Sequence, residues 1–97
     1  MTIDEFAELH DLEMEVMERP SSLVKNPEMR YFASFKRVEV MSDGTLHGAF
    51  GDGETPREAI ADYADRISGQ RLAFGAYTDA RREFEAPNEF LESEESS

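Results

Sequence analysis

Asp4, Glu8, Asp11, Glu15 and Glu18 recur at 4-3-4-3 spacing near the start of this chain, and no Lys or Arg falls within residues 1–18. On a helix that spacing lines five carboxylates along one face. Glu58, Asp62 and Asp65 form a shorter set at i, i+4 and i+7. Closely spaced carboxylates suit three kinds of chemistry. A general acid/base pair needs a cleft and one carboxyl of raised pKa. Nothing in the sequence marks a cleft, and a 97-residue chain has little room for one. A hard-cation site needs oxygens at fixed loop spacing, and the EF-hand pattern is absent. The third is electrostatic: a row of anionic groups offered to a cationic surface.

Other reactive types lack partners in the sequence. His10 stands near Asp11 and Glu13 with no second histidine close by, and His47 is isolated. Ser34, Ser42 and Ser68 have no histidine in a recognisable motif. Gly48 to Gly53 lacks the Lys-Ser/Thr of a phosphate loop, and Asp52 and Glu54 would repel phosphate. There is no cysteine, hence no disulfide or zinc–thiolate framework. The reading is a non-enzyme without metal or cofactor.

Acids outnumber bases 22 to 10, for a net charge of −12. That balance disfavours direct contact with nucleic acid or an anionic membrane and favours a basic protein partner. No apolar run is long enough to span a membrane and the N-terminus is acidic, so a cytoplasmic protein is expected.

The elements that must position these groups follow from pattern. Thr2 and Glu5 form a capping box for a helix running from Ile3 to about Glu18, with Phe6, Leu9, Leu12 and Val16 on its apolar side. Such a helix carries like charges at i, i+4, each pair costing roughly 0.2–0.5 kcal/mol, and must lean on tertiary packing. Arg19-Pro20 ends it. Met29 to Met41 predicts a strand whose parity shifts at Lys36-Arg37, where a bulge is one explanation. Ser42-Asp43-Gly44 predicts a hairpin turn and Thr45 to Phe50 the returning strand. Thr55 as N-cap, Pro56, Glu58 closing a capping box, the face Ala59, Ile60, Tyr63, Ala64, Ile67, and Gly69 as stop predict a second helix. Arg71 to Tyr77 and Arg82 to Ala86 read as further strands.

The expected fold is α+β: a small antiparallel sheet of three to four strands with two helices, in the order α-β-β-α-β. One domain is expected over residues 1–87, with an acidic N-terminal helix over 1–19 and a sheet-plus-helix core over 30–87. Residues 88–97 read as an acidic flexible tail.

Tyr31-Phe32-Ala33, Gly51 to Ile60, Asp62-Tyr63-Ala64, Ile67-Ser68-Gly69, Leu72-Ala73-Phe74 and Arg81 to Pro87 resemble small proteins carried by phages and prophages. The glycine-rich turn followed by Thr-Pro-x-Glu-Ala-Ile also resembles the HicB-like antitoxin fold. In size and charge, and in having no catalytic motif, the chain is similar to anti-CRISPR inhibitors, several of which mimic DNA. That resemblance implies a host nucleic-acid-binding defence complex as partner, with a type I surveillance complex the natural target. The N-terminal helix lies outside the resemblance, so its role rests on charge alone. Five carboxylates there would span about 21 Å, at about 4.5–6 Å intervals. Phosphates along a DNA strand advance about 3.4 Å per nucleotide, a match in sign and linearity. The expected contacts are therefore Asp4, Glu8, Asp11, Glu15 and Glu18, supported by Glu58, Asp62 and Asp65. An antitoxin would need a toxin partner and often a DNA-binding addition; neither a basic arm nor a helix-turn-helix is present.

Overall fold

In the computed structural model, which describes residues 1–91, the second helix forms as the capping residues predict. This helix, α2 (Pro56–Ile67), starts where the Thr55 side chain accepts a hydrogen bond from the Glu58 N–H at 3.1 Å. The capping box does not close, because the Glu58 carboxylate reaches one residue further back to the Glu54 N–H. Ala59, Tyr63, Ala64 and Ile67 are buried on one face, and Gly69 takes a φ of 72° just beyond the end.

The fold is α+β, with two antiparallel sheets of three and four strands. In chain order the elements are α1 (Ile3–Leu9), β1 (Met14–Glu18), β2 (Tyr31–Phe35), β3 (Val38–Ser42), β4 (Thr45–His47), β5 (Gly51–Gly53), α2, β6 (Arg71–Phe74) and β7 (Arg82–Glu85). Two short 3-10 turns, Ser21–Leu23 and Pro27–Met29, lie between β1 and β2. The three-stranded sheet runs β1-β2-β5 and the four-stranded sheet runs β4-β3-β6-β7.

The predicted 29–41 strand is two strands in two different sheets. The parity shift at Lys36-Arg37 is the crossing point, where Arg37 adopts a φ of 62° and its carbonyl accepts the Gly75 N–H at 2.9 Å. The predicted hairpin forms between β3 and β4. Asp43 and Gly44 both take positive φ, 51° and 78°, the two-residue geometry that matches strand twist.

Gly51-Asp52-Gly53, expected as a turn, is strand β5 instead. It pairs with β2 in the register Tyr31↔Gly53 and Ala33↔Gly51. Its glycines let the sheet lie directly on α2: a Cβ at Gly51 would sit 2.1 Å from the Tyr63 backbone nitrogen. The predicted third strand stops at Phe74, and the Arg82 strand forms close to its expected bounds.

The core joins both sheets and both helices. Tyr63, Phe6, Phe35, Ile67 and Leu72 are its largest fully buried side chains. Phe35 meets Tyr63 edge-on at 5.4 Å between centroids, and Phe6 meets Phe90 edge-on at 5.4 Å. Asn88 to Leu91, expected as part of a free tail, is docked. Phe90 packs on the core, and the Leu91 N–H bonds the Met1 carbonyl at 2.9 Å. The rest of the expected tail, 92–97, lies outside the described residues. Among the described residues, no helix is long and apolar enough to cross a membrane.

Burial pushes the Tyr63 phenol up to about 12, against an opposing backbone hydrogen bond from Phe35. The folded state therefore holds this proton above the ordinary phenol value of 10.0, where the unfolded chain releases it. Stability is expected to fall as pH rises from about 10 to about 12, by up to about 2–3 kcal/mol. Urea unfolding across that range checks this, and Tyr63→Phe should flatten the alkaline slope.

Candidate functional site

The helix expected over residues 3–18 ends at Leu9, and the five-carboxylate row ends with it. Thr2 and Glu5 make the predicted capping box, at 3.1 and 2.8 Å. At the other end the Leu12 N–H bonds the Ala7 carbonyl at 2.8 Å and the Asp11 N–H bonds the Glu8 carbonyl at 3.3 Å. That hydrogen-bond pair, around a left-handed Asp11 with φ 55°, is a Schellman stop. Glycine usually fills the left-handed position, but aspartate tolerates it better than most residues. Asp11→Gly is therefore expected to raise stability by about 0.5–1 kcal/mol, read as a higher urea midpoint. A lowered midpoint would mean that the Asp11 side chain has a structural role of its own.

Beyond the stop, Glu13-Met14-Glu15-Val16 alternates in polarity, and Met14–Glu18 becomes β1. Met14 lies opposite Phe35 and Val16 opposite Ala33, facing the core side. Glu15 lies opposite Ser34 on the outer face. The residues flanking β2 supply the cations that residues 1–18 lack. Lys36 Nζ lies 3.4 Å from Glu13 and 3.9 Å from Glu15, and Arg30 Nε lies 2.9 Å from Glu18. Glu15 and Glu18, expected as contacts for a partner, are thus partnered within the chain. The alternation was a visible signal for this strand, but the 4-3-4-3 acidic spacing competed with it.

Asp4 and Glu8 remain one turn apart on α1, with Asp11 in the turn that follows. All three are exposed. Among the described residues Glu8 and Asp11 make no ion pair. His10, which has no second histidine near it in sequence, is half-buried. It stacks on Phe84 at 4.4 Å and lies 4.5 Å from Phe6. Burial first, and then Arg82, hold its pKa below the ordinary 6.5.

The second row survives as geometry, since Glu58, Asp62 and Asp65 lie on one helix. Its members differ in what they do. Asp65 is exposed and, among the described residues, makes no ion pair. Glu58 is exposed but occupied by the Glu54 N–H. Asp62 accepts both the Asp52 N–H at 2.8 Å and Arg66 Nε at 2.9 Å. It staples the outer edge of β5 to α2, a structural duty that its place in the row did not suggest.

Asp62 belongs to a network that residue spacing alone did not reveal. Arg19 Nη2 lies 2.7 Å from Asp52 Oδ1, with both side chains largely buried. That oxygen has no directed hydrogen bond, so the contact is an ion pair set off the hydrogen-bonding line. Arg19 also donates from Nη1 to the Met29 carbonyl at 2.6 Å and lies over the Phe32 ring at 4.7 Å. Phe32 meets Phe50 edge-on at 6.0 Å, and Met17 is the cross-strand neighbour of Phe32. Met17 and Phe50 are about half exposed, at 50 % and 46 %. Beside them an open groove of about 530 Å³ carries both signs of charge, from Glu15, Glu39, Lys36 and Arg37.

Among the described residues, no three His, Cys, Asp or Glu side chains converge as a metal site would require. The chain's negative charge is therefore divided in two. Glu15 and Glu18 on β1 pair with Lys36 and Arg30, whereas Glu8 on α1, Asp11 just after it and Asp65 on α2 are exposed and make no ion pair among the described residues. Comparisons with known protein families, with curated proteins and with solved structures find no match to this chain.

Proposed function

We propose that this protein inhibits a nucleic-acid-binding protein by presenting carboxylates to its cationic surface. The observation that carries the reading is the net charge of −12, combined with exposed Glu8, Asp11 and Asp65, which make no ion pair among the described residues. The contacts are Asp4, Glu8 and Asp11 on one side and Glu58 and Asp65 on the other; Glu15, Glu18 and Asp62 serve the fold. The resemblance to small phage proteins gives the partner its class: a host defence complex, with a type I CRISPR surveillance complex as the first to test. Such a complex holds target DNA in a basic channel, and an anionic protein seated there excludes the duplex. The test is competition. The chain should displace target duplex from the complex, and Glu8→Lys, Asp11→Lys and Asp65→Lys together should abolish displacement while the fold is retained.

A second reading rests on the Met17, Phe32 and Phe50 surface. Exposed aromatic and Met side chains beside an Arg are the composition of an interface centre. In a regulatory binding module of the antitoxin kind, that face would hold the partner. The same experiment separates the two, since this reading requires the triple charge reversal to be tolerated and Phe50→Ser to abolish binding.

A further inference from the structure

The geometry points to a second copy of this chain as the occupant of the free edge of β1, joining two three-stranded sheets into one of six. This goes beyond the proposed function and does not depend on it. The hydrogen bonds at the ends of the β1–β2 ladder set the parity. Lys36 N–H bonds the Glu13 carbonyl and Arg19 N–H bonds the Arg30 carbonyl, both at 2.8 Å. In this register Glu13, Glu15, Met17 and Arg19 turn their backbone groups toward β2. Met14, Val16 and Glu18 turn theirs away, toward an edge with which no described strand pairs.

The two edges of this sheet are treated differently. By the same parity Asp52 carries the only outward N–H of β5, and the Asp62 carboxylate accepts it. The β1 edge has no such guard. It contains no proline, and its charges are a weak barrier, because Lys36 and Arg30 offset two of the three glutamates from within the chain. Its local charge is close to −1, small on a protein of net charge −12.

The sequence of β1 is also self-complementary in one register. A two-fold axis through Val16 sets Val16 against Val16 of the second copy and Met14 against its Glu18, which uses every outward backbone group. Glu15 then opposes Met17, and Glu13 opposes Arg19. Centring on Met14 would oppose Glu13 to Glu15, and centring on Glu15 or Glu18 would oppose each glutamate to itself. Centring on Met17 would bring Pro20, which has no N–H, opposite Met14. Only the Val16 register combines full pairing with no like charges directly opposed.

Sedimentation equilibrium of the intact chain from about 1 µM to about 1 mM is the test, because dimer populations follow concentration. The expected result is a mass rising from 11.0 kDa toward twice that value. Two chains of like net charge repel, so association should strengthen as salt rises. Binding to a cationic partner should weaken with salt, so failure of one idea is distinguishable from failure of the other. Val16→Pro removes an outward N–H without touching the β1–β2 ladder and should hold the protein monomeric. If that variant does not fold, amide exchange of the unaltered chain decides: Met14, Val16 and Glu18 should exchange more slowly at high concentration, and Glu15 and Met17 should not change. A single mass at every concentration, a Val16→Pro dimer, or exchange at Met14, Val16 and Glu18 that ignores concentration would overturn the proposal.

Discussion

Gly51→Ala is expected to cost about 3 kcal/mol or more, the upper part of the range for overpacking a core. The added Cβ would lie 2.1 Å from the Tyr63 nitrogen, 2.3 Å from the Ala59 carbonyl oxygen and 2.7 Å from the Tyr63 Cα. All three are backbone atoms of α2, so no side-chain rotation relieves the clash. Relief requires the helix to lift from the sheet, and the Tyr63 and Ile67 side chains beneath it would lose packing. Small domains hold about 5–15 kcal/mol in total, so this is a large fraction. Urea unfolding measures it. Gly48→Ala is the control, because a Cβ there meets nothing within 4 Å, and its midpoint should barely move. A loss below about 1 kcal/mol at Gly51 would mean that β5 is not seated on α2.

Gly51 and Gly53, both of which meet α2 backbone, show where the sequence was opaque. Gly-x-Gly before a helix reads as a turn because glycine is the usual turn residue. Here the residues are glycine because a backbone approaches theirs, and only the packed helix reveals that. The helix itself was legible, since Thr55, Pro56, the apolar spacing and Gly69 all agreed. The Lys36-Arg37 parity shift was visible too, but whether a strand bulges or changes sheets depends on partners distant in sequence. At β1 two periodicities overlapped. The acidic residues followed a helical repeat while Glu13 to Val16 alternated, and the chain takes the strand, paired with β2 and with Lys36 and Arg30 beside its glutamates. On the candidate site, the sequence located the acids but not the arginines that neutralise some of them.

Reversing the charges of Glu8, Asp11 and Asp65 is expected to weaken binding to the cationic partner by about 3 kcal/mol, more than a hundredfold. Each exposed ion pair is worth about 0.2–1 kcal/mol, and reversal replaces attraction with repulsion of similar size. The fold should survive the change. None of the three makes an ion pair among the described residues; a lysine at Asp11 bears a small cost in the left-handed position, φ 55°, but follows a helix C-terminus, where the dipole favours positive charge. Circular dichroism and the urea midpoint check that. Glu15→Gln with Glu18→Gln is the contrasting variant. These acids already face Lys36 and Arg30, so the pair should change binding by less than about threefold even where it trims stability. Equal losses from both sets would mean that the whole charge matters and its placement does not.

The most direct measurement of the central claim is the affinity of the unaltered chain for a type I surveillance complex, with and without target duplex, at about 0.05, 0.15 and 0.5 M salt. Carboxylates meeting a cationic channel predict competition with the duplex and an affinity that falls at least tenfold across the series. Binding that leaves the duplex in place, or that holds steady as salt rises, would contradict the account.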